Sequence, residues 1–197
     1  MQILNSLRKA PLVLVIAFAA TMMQAQTDQV ELGRTSVTFS QEFGGTLIAL
    51  GLSASAVSPA TLQTGTGVAT FPITEGAIEL PTARAEINHA GGFILSNGST
   101  QVRLENFTID TTSTPVLTGL VVSNNSLVGR IAIFDLQLPS GLTLPLAPTA
   151  DGLVNLQGVG MKLDAAAASA LNSAFSVTAF QAGSNVGTAN AIAFVAP

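Results

Sequence analysis

His89 is the one histidine of this 197-residue chain, which has no Cys, Trp or Tyr. It is the only side chain that titrates near neutral pH and the only strong ligand for a transition metal. One imidazole does not make a zinc site, which takes three or four N, S or O ligands, so zinc and iron–sulfur chemistry are excluded. Serine hydrolysis would need the ring beside a serine and an acid, and no Gly-x-Ser-x-Gly elbow occurs. Glu75, Glu79 and Glu86 fall in one stretch, and a carboxylate pair is the equipment of a glycosidase. The aromatic platforms that sugars stack on are absent, and charges on a solvent-facing strand account for these residues. No phosphate loop or paired-glycine fingerprint is present. The chain does not read as an enzyme.

His89 itself leaves two roles open. It lies in Asn88-His89-Ala90-Gly91-Gly92, directly after a strand whose apolar parity it shares. It is either a core or turn histidine met by backbone groups, or a pocket residue that touches or orients a ligand. Met161, the only methionine after the first 25 residues, belongs to a side-chain type that fills core gaps more often than it binds metal. Phe is the only aromatic, with ten copies in the chain.

The elements that must position these residues read as strands. Short runs of Val, Ile, Leu, Thr and Phe alternate with Gly, Pro, Asn and Ser from Thr35 onward. Val37 and Phe39 share one parity, and a longer strand-like run covers Thr46 to Val57. Phe71 and Ile73 flank Pro72, which has no N–H for a ladder and so marks an edge. Val102 and Leu104 lie on one parity and Phe107 and Ile109 on the other, which predicts a bulge near Glu105-Asn106. Leu117–Val122 and Leu127–Leu138 form a pair joined by Ser123-Asn124-Asn125-Ser126, the second strand covered on both sides.

Asp164 caps a helix through Phe175, with Leu163, Ala167, Leu171 and Phe175 as its apolar stripe. Strands at Val177 and Ile192–Val195 follow. The fold class is all-β, an antiparallel sandwich or barrel-like domain with one short C-terminal helix over about 164–175.

Residues 1–25 read as a secretory leader: Arg8 and Lys9 supply the charge, Leu12 to Ala20 the apolar run and Ala25 the small residue at the cut. The apolar run is short of the ~20 residues that span a bilayer. Residues 26–34 are polar and expected loose, and residues 35–197 form one domain. Past the leader, eleven acidic residues face five basic ones, a balance that repels phosphate backbones and excludes nucleic acid as a partner. The expected location is secreted, periplasmic or cell-surface, with no membrane span after leader removal.

One stretch resembles a known family. Ala85-Glu-Ile-Asn-His89-Ala-Gly-Gly-Phe-Ile-Leu95, followed by Val102-Arg-Leu-Glu-Asn-Phe-Thr-Ile109, is similar to the haem-transport-associated (HtaA-like) domain of exported actinobacterial proteins. That family carries a strand leading into a His-x-Gly turn and then Leu-x-Leu-x-Asn-Pro-x-Ile. Phe71-Pro72-Ile73 resembles a segment ahead of the turn. Met161 to Phe175 and Phe180-Gln-Ala-Gly183 look like the terminal helix and tail. The resemblance covers about residues 45–195 and implies a β-sandwich with a short helix. It also implies haem held by a tyrosinate supported by a histidine.

His89 matches that histidine, while the tyrosine has no counterpart, and Phe180 stands where tails of the family often carry Tyr. If haem is bound, His89 must ligate iron itself, opposite Met161. Two functions follow: a non-enzymatic exported β-domain for binding or surface association, with a cell-surface or protein partner, or a carrier of haem or another apolar ligand. For the carrier, His89, Gly91, Gly92, Met161 and Phe180 are the expected ligand-binding residues.

Overall fold

The computed structural model describes residues 26–196; the expected leader lies outside them. The elements are β1 (Asp28–Phe39), α1 (Gln41–Ala49), β2 (Ser53–Val57), β3 (Thr61–Gln63), β4 (Val68–Glu79), β5 (Arg84–His89) and β6 (Gly92–Ser96). They continue as β7 (Gln101–Asp110), β8 (Val116–Ser123), β9 (Ser126–Gln137), β10 (Leu153–Leu163), α2 (Ala165–Phe175) and β11 (Asn185–Val195). All pairings are antiparallel. Eight strands close on themselves in the order β7-β5-β4-β1-β11-β10-β9-β8, with β8 pairing β7 to complete the ring. The fold is thus an all-β barrel, and closure leaves the eight strands without a long free edge.

β7 forks. Its second half pairs β5 through Glu86↔Asp110, and its first half pairs β6 through Gly92↔Glu105. β5 and β6 are one path broken at Ala90-Gly91, and β6 carries β2 outward as an extra edge. The expected bulge is present: the β7–β8 register shifts between Glu105 and Thr108, with Asn106 at φ 53°. The expected hairpin closes through Asn124 and Asn125, both at positive φ, the turn that suits right-twisted strands. Pro72 pairs with Arg34 of β1, so β4 is not an edge strand. Its own N and O face the gap where β3 has ended and β5 has only begun, and Ala90 N donates to Pro72 O at 3.0 Å there. The missing N–H costs no ladder bond.

Other expectations fail as well: Val177 is not in a strand, and β9 is not covered on both sides, with Leu127 and Val128 exposed. Residues 28–34 are not loose: they are the first half of β1 and sit between β4 and β11, where Val30 is 2 % exposed. Their polar text belongs to the outward face. The run Thr46–Val57 is not one strand either, because Gln41–Ala49 is helical and only Ser53–Val57 is extended. Ser40 caps that helix by accepting from Phe43 N at 3.0 Å. Gly51, at φ 65°, ends it, with Gly51 N donating to Ile48 O and Leu52 N to Leu47 O. Leu47 and Leu52 are both buried beneath this turn.

α2 forms as expected. Asp164 accepts from Ala166 N at 2.6 Å, and Leu163, Ala167, Leu171 and Phe175 are all buried. Both helices close one end of the barrel. The two described chain termini leave from the other end, where Ala196 N donates to Gln29 O at 3.0 Å.

Candidate functional site

Inward-facing positions of the strands fill the barrel in two clusters. The larger, beneath the helices, holds Val37, Phe71, Phe93, Phe107, Met161 and Leu171 among others. The smaller, towards the termini, holds Val30, Ile73, Ile87, Val154, Ala193 and Val195. Thr35 and His89, 3 % and 5 % exposed, lie between them and are the buried polar residues of the interior. Alternation places them there: Thr35 is two residues from Val37 on β1, and His89 is two from Ile87 on β5. Their side chains meet across β4, with Thr35 Oγ1 and His89 Nε2 2.8 Å apart. One hydrogen bond therefore forms a polar waist between two apolar cores.

The other ring nitrogen, Nδ1, is buried without a hydrogen-bond partner. Burial lowers the His89 pKa from 6.5 to about 4, because the charged ring loses its hydration. The main chains of Phe107 and Ile87 pull in the opposite direction, yet neither meets Nδ1 in hydrogen-bonding geometry. At neutral pH the ring is uncharged.

Beside this ring is an interior cavity of about 80 Å³. Its wall includes Thr35, His89 and Met161, the rings of Phe39, Phe71 and Phe107, and Leu171 of α2. Phe71 and Phe107 meet edge to face with centroids 5.3 Å apart. Thr111 also lines it, but its hydroxyl is committed, donating to Ala83 O at 2.7 Å and accepting from Ala85 N at 2.8 Å. Among the described residues, no carboxylate, Lys or Arg faces the cavity.

Of the residues expected to bind a ligand, His89 and Met161 line this one cavity and the other three do not. Gly91, at φ 84°, brings the chain against the turn between β2 and β3; a Cβ there would sit 2.5 Å from Ala60 N. Gly92 does the same against Leu104 O of β7. Phe180 is packed in the larger cluster, its main chain held by Asn172: Asn172 Nδ2 donates to Phe180 O at 2.8 Å and Phe180 N donates to Asn172 Oδ1 at 3.0 Å. Thr35 and the Phe residues of the wall were not singled out from sequence. Extending the parity of Val37 and Phe39 by two residues leads to Thr35, whereas its meeting with His89 depends on strand order.

Haem does not fit this arrangement. Ligand pockets for molecules of drug size and above run to roughly 300–1,000 Å³, against about 80 Å³ here. His89 Nε2 is engaged by Thr35, and Met161 is 1 % exposed in close-packed core.

No family model and no curated protein matches the chain. Among solved structures it is similar to the C-terminal domain of HtaA from Corynebacterium glutamicum, with a TM-score of 0.63 at 15 % identity, covering 86 % of this chain and 99 % of that one. The N-terminal domain of the same protein matches at 0.57 and 12 %, covering 85 % and 99 %. A domain-swapped dimer of a His→Ala variant of the C-terminal domain matches at 0.52 and 16 %, covering 79 % and 89 %. Likeness across nearly the whole of each domain, at so low an identity, is likeness of architecture. This chain has the fold of an HtaA domain.

Proposed function

We propose that this protein is an exported, non-enzymatic binding domain of the HtaA type that takes a small apolar molecule inside its barrel. One observation carries this: a cavity of about 80 Å³ inside the barrel whose wall is almost wholly apolar. Among the described residues His89 is also the only titratable group on the wall, so they supply no nucleophile–base pair there. Export is supported by Arg8, Lys9 and the apolar run from Leu12 to Ala20. The fold likeness supports a domain of the haem-transport-associated class, with its ligand changed.

Xenon tests the interior site, since interior apolar cavities take it up. Methyl resonances of Met161 and Ile133, both on the wall, should shift saturably under xenon pressure; unmoved methyls would sink the proposal. A haemin titration read by the Soret band separates this function from haem carriage. We expect no saturable shift that depends on His89, and one abolished by His89→Ala would restore haem as the ligand.

A further inference from the structure

We propose that the open cleft between β10 and the loop from Leu138 to Gly152 is a docking slot for an extended, uncharged peptide segment of another polypeptide, which adds to the free edge of β10. The slot is independent of the interior cavity, with which it shares only Leu156.

The ladder leaves this edge open. β9 and β10 pair only from Gly160↔Gln137 to Leu163↔Phe134, so the earlier part of β10 has β11 on one side and no strand on the other. Val195 N donates to Gly152 O at 2.9 Å. Bonded positions alternate along an antiparallel pair, so the main-chain groups of Val154 and Leu156 also face β11, while those of Leu153 and Asn155 face away. Leu153 is met on that side: Thr149 N donates to its O at 2.9 Å, and its N donates to Thr149 Oγ1 at 3.1 Å. Among the described residues, nothing meets the outward N–H and C=O of Asn155.

The loop does not close the gap. Leu146 pins it, buried and with its N donating to Leu80 O at 2.8 Å, and Leu142 N donates within the loop to Pro139 O at 3.0 Å. Held there, it stands off from Asn155, Leu156 and Gln157 across a cleft of about 430 Å³, with Pro139, Leu142, Pro145 and Leu146 on the far wall.

These limits define the occupant. Asn155 presents one donor and one acceptor, the pair that a single residue of an added antiparallel strand exchanges. Among the described residues no charged side chain lines the cleft, and the apolar far wall suits an uncharged side chain. The Thr149–Leu153 contact closes one end and the Gly160–Gln137 pairing the other, leaving room for about four extended residues. Residues 26–196 are all placed elsewhere, so once the leader is removed the segment comes from another polypeptide. The residue opposite Asn155 must keep its N–H, which excludes Pro there.

The test is a titration of the purified protein with the blocked tetrapeptide acetyl-Thr-Val-Thr-Val-amide, followed by the amide resonances of Asn155 and Gln157. We expect a saturable shift of both and slower exchange of the Asn155 amide proton. The same peptide N-methylated along its main chain should bind about tenfold or more weakly. Asn155→Ala keeps the main chain and should bind as the parent does. Asn155→Pro removes the N–H from an open edge, where Pro is tolerated, and should lose about tenfold or more, read at Gln157. Binding retained by the N-methylated peptide or by Asn155→Pro, binding lost in Asn155→Ala, or no shift at all would overturn strand addition. Dimerisation that protects the Asn155 amide would give the slot to a second copy, and binding seen only after removal of residues 1–25 would give it to the leader. Either result overturns the partner named here.

Discussion

His89 sets a pH limit on the whole molecule. Its folded pKa, about 4, lies below the 6.5 of an exposed ring, so between these values the unfolded chain binds the proton and the folded chain does not. Stability is then full above pH 6.5 and lost as pH falls towards 4, by about 3 kcal/mol for this one group. Urea unfolding at steps between pH 7 and 4 should show that loss. His89→Gln should flatten it, while lowering stability at pH 7 by ~1–3 kcal/mol through the unpaired Thr35 hydroxyl. An unchanged slope in the variant would remove His89 from the account. Asp110 and Asp135 depart from the ordinary carboxylate value in opposite directions, Asp110 lowered by its bonds to Thr112 and Asp135 raised by burial and then by Asp164. Both persist in His89→Gln, so the difference between the two proteins isolates the ring.

At the same scale, Gly91 belongs to the backbone and not to a ligand. Gly91→Ala would push a Cβ into Ala60 N at a positive φ. We expect a loss of about 2–3 kcal/mol with xenon uptake retained. Uptake abolished in a protein that is still folded would give Gly91 a role in binding after all.

Elements differ in how far they could be read from the chain. α2 was legible because a capping Asp, four alanines and an apolar stripe all favour one structure. The bulge at Asn106 and the hairpin at Asn124-Asn125 were legible because a parity slip and a polar four-residue turn are local signals. α1 was not, because Gly44 and Gly45 dilute the helical text and Leu47, Ile48 and Leu50 suit a strand equally well. Its signals were at the ends, in Ser40 as cap and Gly51 as stop. Helix α1 therefore rests on capping: Ser40 also donates to Asn185 O at 2.8 Å, tying the helix to β11. Ser40→Ala should cost ~1–2 kcal/mol in urea unfolding. A change within a few tenths would leave α1 held by Phe43 and Leu47 alone.

For the site, His89 was visible as the lone imidazole, whereas its pairing with Thr35 was not, because the two are 54 positions apart. No local pattern reports a contact made across an intervening strand.

The whole molecule is a closed ring with short additions. β2 pairs only with β6, and β3 only with β4. In native-state hydrogen exchange their amides should be the first strand amides to exchange, with those of β1 and β11 among the last. Equal protection throughout would mean that the additions and the ring open as one unit. Closure also explains how an expected exported protein does without Cys: its cohesion comes from the barrel interior rather than from cross-links.

The meeting of Gln29 and Ala196 at one pole has an architectural consequence. A polypeptide that enters and leaves a folded unit at neighbouring points can carry that unit as a pendant, with neither flanking segment obliged to cross it. A tether attached before β1 or after β11 would therefore hold the domain in the same orientation. In either case the helical pole points away from the attachment, and copies strung along one chain would all face outward alike.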